Sequence, residues 1–424
     1  MTLLLLLLEL FQDAGPAAEG IPLEVLWRDG LRIRSTDGAF EGRVGITLLL
    51  DGRHVVDRPD DDTPPLRSAP DSIFVRRARL GVDGTLDPDW AFRVTAGVGT
   101  GRGDPGSGSP PNATTATLLD GWIEWRRWPE LRIRAGQFFQ PVTQEGMTSL
   151  TSHEFAERSL QSRLAPGRDL GIGAAGDLAE GRLSYFAMLS HGGALTYGDA
   201  SSVQDRDDAL EISGIVHVRP FAGAGWAALE GLQLSAGGSF GLVGAADGAD
   251  FDLASPELSI LFVDGTGGTF EGRRTRLAGG IAWTRGPVGA RAEFLAREDE
   301  LAAGPSPRDS VRTTGAYAQA SWMVTGEEKR FGTRVYPEGS EGAVELALRA
   351  ATIEVEDVLD AGIAPAGENS GRMSAWTAGI GWWPAPQLRL VLNAIHERSR
   401  DPLRFDGRTE DRFTGFLVRA QISF

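Results

Sequence analysis

From about Gly38 to Phe424, apolar and polar residues alternate one for one along short runs. In Trp90–Thr100, the side chains Trp90, Phe92, Val94, Ala96 and Val98 share one face, with Arg93 and Thr95 opposite. In Pro287–Glu298, Val288, Ala290, Ala292, Phe294 and Ala296 oppose Arg291, Glu293 and Arg297. Glu341–Glu354 and Gln387–Arg398 repeat the pattern, with Leu346, Leu348, Leu390 and Leu392 opposite Glu345, Arg349, Arg389 and Asn393. A period of two places the two sets on opposite faces of a β-sheet. The runs number about sixteen, and each needs one oily face and one wet, charged face.

The connections alternate too. Leu86–Asp89, Trp128–Glu130, Ala179–Glu180, Gly286 and Pro384–Pro386 are tight, whereas Val55–Asp71, Gly101–Ala116, Gly192–Asp207 and Leu242–Gly272 are long. Arg219–Leu229 and Thr325–Ser340 are longer than this pattern wants. One trimmed end and one elaborated end is the habit of outer-membrane barrels, with short periplasmic turns and long outer loops. The expected fold is therefore all-β: a transmembrane antiparallel β-barrel of about sixteen strands. Closure leaves no unpaired strand edge in lipid. A soluble sandwich is the competing reading, and its oily faces would need a partner sheet. Phe139–Gly167 is far longer than an ordinary hairpin loop. It holds Phe139, Phe155, Leu160 and Leu164, so it is expected to fold, as a third loop turned inward to narrow a water-filled pore.

Composition sharpens this picture. Of 424 residues 56 are glycine and none is cysteine, which excludes disulfides, zinc–cysteine sites and cysteine nucleophiles. No internal apolar run approaches the length of a membrane helix. The net charge is −16, unfavourable for nucleic-acid binding. Lys329 is the one lysine and the other bases are arginine. The arginine bias has two readings, a GC-rich coding genome or an anion path lined by permanently charged guanidiniums. The five histidines have no metal-ligand spacing, and G-x-S-x-G and P-loop motifs are absent. The chain is accordingly expected to be no enzyme and to need no cofactor or metal.

Leu3–Leu8 followed by Ala14–Ala18 resembles the end of a secretion signal without its basic start. Residues 1–18 are read as a signal remnant, 19–39 as an N-terminal periplasmic segment and 40–424 as one barrel. Trp90, Trp122, Trp125, Trp128, Trp283, Trp322, Trp376, Trp382 and Trp383 sit near strand ends, where interface girdles place aromatics. The final strand is amphipathic and ends on Phe424, like the sorting signal that the barrel assembly machinery reads.

Several motifs, in order, resemble the phosphate-selective porins O and P. Val75-Arg76-Arg77-Ala78-Arg79-Leu80 with Asp89-Trp90 is similar to that family's early hairpin. Asp120, Gly136-Gln137-Phe138, Glu145, Thr148-Ser149 and Glu157-Arg158-Ser159-Leu160 follow like its third-loop region. Tyr317-Ala318-Gln319, Thr325-Gly326-Glu327 and Glu354-Val355-Glu356-Asp357 resemble its C-terminal half. The resemblance implies a homotrimer of sixteen-stranded barrels in the outer membrane, with arginines guiding anions. It places the early arginine pair on Arg76 and Arg77, a constriction aspartate on Asp120 and a phosphate-contacting serine on Ser149. Two departures stand out. The family's third-loop lysine falls on Gly146, and its arginine cluster falls near Phe251–Gly265, which has no arginine.

Parity decides among neighbours. Arg77 and Arg79 share a face with Asp83, opposite Phe74, Ala78, Leu80 and Val82. Arg76 is left for a bulge, the headgroup level or a subunit contact. Arg93, Arg132 and Arg134 are further candidates for the lumen. The bland reading is that these arginines merely pair with Asp83, Asp120 and Glu124. The sequence thus leads to an outer-membrane porin passing small anions such as phosphate by diffusion, in contact with membrane lipid and lipopolysaccharide. A weakly selective porin and a closed anchoring barrel are the alternatives.

Overall fold

The computed structural model describes residues 22–27, 30–56, 71–100, 114–192, 209–243, 252–265, 270–301, 310–356, 369–405 and 408–424. A short hairpin, β1 (Leu23–Trp27) and β2 (Leu31–Ser35), precedes β3 (Phe40–Val56), β4 (Ser72–Leu86), β5 (Trp90–Thr100), β6 (Thr114–Trp128), β7 (Leu131–Phe139), β8 (Arg168–Leu178), β9 (Leu183–Ser190), β10 (Glu211–Val218) and β11 (Gln233–Val243). Two short pieces, β12 (Leu253–Ala254) and β13 (Leu261–Val263), pair only with each other. Then come β14 (Phe270–Arg285), β15 (Val288–Leu301), β16 (Ser310–Met323), β17 (Ala343–Val355), β18 (Arg372–Ala385), β19 (Leu388–Phe405) and β20 (Arg408–Ser423).

From β3 to β11 and β14 to β20, each strand pairs antiparallel with the next, and β20 pairs back onto β3 from Ser423↔Thr47 to Thr414↔Val56. The result is a closed barrel of sixteen strands. Leu31–Arg34 of β2 continues the ladder on β3 below the point where β20 stops.

The alternation survives in three dimensions. Along β19, Leu388, Leu390, Leu392 and Ala394 are exposed, and Arg389, Val391, Asn393 and Ile395 are buried. The covered face of a closed barrel is its interior, so the oily set faces lipid. Register shifts break the rule in several strand pairs, and two of them bear on the predicted residues. Leu49 pairs with Arg77 and Leu50 with Val75, so Arg76 is the extra residue of a bulge in β4. Thr95 pairs with Asp120 and Ala96 with Leu118, so Leu119 is extra in β6. The first corrects the parity of Phe74. It lies opposite Asp51 and is buried inside rather than facing out with Leu80 and Val82. Trp122 and Trp383 also leave the expected girdle. Arg134 lies 4.1 Å from the Trp122 ring, and Arg389 lies 4.4 Å from the ring of the buried Trp383.

Candidate functional site

The connection between β7 and β8 folds into short turns: a helix, α1 (Gln144–Met147), capped by the Thr143 hydroxyl, and two 3-10 turns, Leu150–Ser152 and Leu160–Arg163. Phe155, Leu160 and Leu164 are almost fully buried. Main-chain and side-chain groups of this loop meet interior side chains on many strands. The Gln144 and Glu145 amides donate to Glu293 of β15 at 2.6 and 3.2 Å. The Ala156 amide donates to Asn393 of β19 at 2.8 Å. Arg389 donates to the carbonyls of His153 and Glu154, and Arg349 to that of Glu157. On the β3–β20 side, Arg419 holds Asp51 at 2.7 Å and Glu157 at 2.6 Å, and Arg76 reaches Glu157 at 2.8 Å. Gly237 on β11 gives the loop backbone room, since a Cβ there would stand 2.2 Å from the Val142 carbonyl oxygen.

Glu154 is the hub. Its carboxylate receives Arg291, Lys329 and Gln319, each at 2.7 Å, and Lys329 also reaches Glu345 at 2.5 Å. Lys329 comes from the long connection between β16 and β17, which explains why that connection exceeds a tight turn. Burial opposes the Glu154 charge, but Arg291 and Lys329 outweigh it and hold the carboxyl well below the usual carboxylate range. Burial likewise opposes the Lys329 charge and is outweighed by Glu154 and Glu345, which raise its ammonium. Burial, then Arg158 and Arg291, push His153 well below the usual imidazole value, so it stays neutral. The sign for stability follows. A depressed carboxyl stabilises the fold fully above its unfolded value of 4.5 and loses that contribution as pH falls below it. Acid is therefore expected to loosen the loop; Glu154→Gln lacks this contribution at every pH, so the tryptophan fluorescence of its folded barrel will be lost at a higher pH than in wild type.

Residues 252–265 add a second interior segment. Ser259 takes a left-handed turn (φ 57°) and accepts from Arg53 at 2.6 Å. Glu257 accepts from Thr377 at 2.6 Å and faces Arg349 at 3.0 Å, and burial pushes its carboxyl up. Leu258, Ile260, Phe262 and Val263 have no exposed surface, and they pack with Leu160, Leu164, Ile353, Ile395 and Leu417 into one apolar cluster. Each such side chain contributes about 1.5–3 kcal/mol by leaving water. Where the sequence resemblance expects arginines, this chain places oil.

The charges therefore divide into two populations. On the β10–β20 side they are dry: Arg276 pairs with Glu211, Arg291 with Glu154 and Arg419 with Asp51, all with side chains at most 3% exposed. On β3–β8 some are dry as well, such as Arg53, Arg77 and Arg168, but others are wet. Arg43 and Arg93 flank Asp83 at 2.9 and 3.9 Å, and Arg132 meets Asp177 at 2.8 Å, with exposures between 29 and 43%. The predicted Arg79, Arg93 and Arg132 belong to this wetter wall. Arg77 is buried, and Arg134 is partly buried on Glu124 at 2.6 Å. Asp120 is bound by Arg168 at 2.9 Å, a partner the sequence reading missed. Ser149 precedes a 3-10 turn and shares a hydrogen bond with Thr151 at 2.9 Å. Gly146 lies inside α1, its amide donating to Thr143. At the short-turn end a cavity of about 400 Å3 is lined by Arg32, Arg43, Lys329, Arg330 and Arg334, with Glu345 the carboxylate among them.

A closed antiparallel barrel with an oily belt and a charged interior is the architecture of an outer-membrane porin. The same architecture, at low identity, recurs in solved structures. The outer membrane channel DcaP of Acinetobacter baumannii matches at 11% identity and a TM-score of 0.55, over 92% of this chain and 99% of that one. An anion-selective porin from Comamonas acidovorans matches at 13% identity and 0.52, over 91% and 100%. The model of the family described as phosphate-selective porin O and P matches residues 67–424, and the chain belongs to that family. It is 23% identical to Porin O of Pseudomonas aeruginosa over 96% of this chain and 93% of that protein.

Proposed function

We propose that this porin passes small anions such as phosphate by diffusion along the β3–β8 wall of its interior. The observation that carries the reading is the contrast in exposure: the side chains of Arg93 and Arg132 are 43% and 30% exposed, while Arg276, Arg291 and Arg419 are sealed against carboxylates. Partly wet guanidiniums attract anions by charge, and the carboxylates beside them, Asp83 and Asp177, keep the attraction weak enough for release. The loop 139–167 narrows the bore from the other side, and the basic cavity at the short-turn end gives anions an exit. Membership of a phosphate-selective family and the resemblance to an anion-selective porin support this reading. Gly146 in place of the family lysine and the oily 252–265 segment argue for weak rather than tight phosphate binding.

In a planar bilayer across a chloride gradient, the reversal potential is expected on the anion side, with phosphate block only at high concentration. Arg93→Glu with Arg132→Glu is expected to move the reversal potential towards cations without closing the channel. Cation selectivity in the wild type would assign the path elsewhere. A second reading, a weakly selective porin, is favoured by the carboxylates beside Arg76, Arg93, Arg132 and Arg134, and predicts no response to the double change. The N-terminal residues 19–39 are proposed to lie in the periplasm and the functional unit to be a homotrimer, which cross-linking in intact membranes tests.

A further inference from the structure

The outward wall from β16 to β20 carries two features that transport does not use. One is a groove of about 600 Å3. Its floor is made of small side chains, Ala318, Ala350, Ala378 and Ala394, and its sides of Leu348, Trp376 and Phe416. The register creates it: Ala318 stands opposite Ala350 and Ala378 opposite Ala394, while Trp376 and Phe416 stand opposite Ala350 and Ala394. Truncated side chains thus adjoin bulky ones on a surface that faces hydrocarbon.

The other feature lies towards the long-connection end of the same strands. Arg312 on β16, Arg372 on β18, Arg398, Arg400 and Arg404 on β19, and Arg408 and Arg412 on β20 are all exposed. Arg398 and Arg412 are directly opposed in register, with Asp411 3.6 Å from the first and 3.9 Å from the second, so one carboxylate is shared by two guanidiniums. Glu354 pairs with Arg400 and Glu410 lies 3.4 Å from Arg408, so with Asp411 these three carboxylates serve four of the seven arginines. On β8 to β11 the outward positions near this end are oily: Leu170 on β8, Leu189 on β9, Ile212 on β10, and Phe240 and Leu242 on β11. Among the described residues the exposed arginines near this end gather as an arc on the strands that carry the groove, with Arg273 of β14, paired to Glu300, apart from them; the bonded pair His396 and Thr414, 3.0 Å apart, lies between arc and groove.

We propose that this arc and groove bind lipopolysaccharide of the outer leaflet, with its phosphorylated sugars on the arginines and an acyl chain in the groove. Guanidiniums grip phosphate through paired, charge-assisted hydrogen bonds, and the spread of arginines over several strands suits a headgroup with two separated phosphates better than a single phosphodiester. The proposal rests on the outer-membrane location and not on anion passage, so either can fail alone.

The test is native mass spectrometry of the full chain in neutral detergent, titrated with bisphosphorylated lipid A, its dephosphorylated form, or phosphatidylglycerol. Wild type is expected to retain lipid A and to lose about tenfold in affinity when the phosphates are removed. Arg372→Gln with Arg398→Gln and Arg412→Gln is expected to lose a similar factor, and Ala394→Trp to weaken lipid A by filling the groove. Equal binding of the three lipids by wild type would overturn the proposal, as would undiminished lipid A binding by a folded triple variant. Self-association abolished by Ala394→Trp would overturn it in favour of a second copy of the chain on this face. The lipid comparison on wild type decides the matter even if the triple variant does not fold.

Discussion

Glu154→Ala is expected to cost about 3–5 kcal/mol, the usual penalty for stranding buried charges. Three groups lose their acceptor at once: Arg291, Lys329 and Gln319. Two of these are cations held away from water, with only Glu345 left to Lys329. The loop then keeps Arg389 on its carbonyls and Glu293 of β15 on its Gln144 and Glu145 amides, but loses the contacts of Glu154 with Arg291 and Gln319. The expected readouts are a lower urea midpoint by tryptophan fluorescence and a larger, noisier single-channel conductance. Glu154→Gln keeps the shape and one acceptor oxygen, so it should fall between. An unchanged conductance in a folded Glu154→Ala protein would mean that the loop is held by its other contacts or does not limit the current.

The second large effect concerns the oily segment. Phe262 has no exposed surface and packs within the cluster formed by both interior segments. Phe262→Ala should cost about 3–5 kcal/mol through lost burial and the cavity left behind. Polar contacts, among them Ser259 on Arg53 and Glu257 on Thr377 and Arg349, also hold the segment to the barrel wall, so loss of packing should loosen it rather than detach it. Conductance should rise, and it should rise further in a double variant with Glu154→Ala if the two segments obstruct the bore independently. A Phe262→Ala channel with wild-type conductance and normal stability would refute the assignment of this segment as an obstruction.

The strands were legible in the sequence because a period of two is a local signal, and membranes punish exceptions to it. Trp90–Thr100, Pro287–Glu298 and Gln387–Arg398 lie where the alternation puts them, and their charged sets face inward. The bulges at Arg76 and Leu119 were not legible as such. A single extra residue shifts parity without changing composition, and so Phe74 was placed on the wrong face. Nor was Trp383 legible as an interior residue, since a tryptophan near a strand end satisfies the girdle pattern equally well. The apolar residues of the loop announced that it folds, but its partners did not. Glu154 finds Arg291 and Lys329, and Arg419 finds Asp51, across separations that no local pattern encodes. The absence of arginine near residues 251–265 was visible as a departure from the family. That these positions would instead contribute Leu258, Ile260 and Phe262 to a dry interior required the fold.

The two long segments meet in one apolar cluster, Leu160 and Leu164 from the loop 139–167 with Leu258 and Phe262 from residues 252–265. Side chains that share a packed cluster do not respond independently to a change in volume. The two insertions therefore behave as one joint: a substitution that empties space in either is felt by the other, and neither can be redrawn without its counterpart.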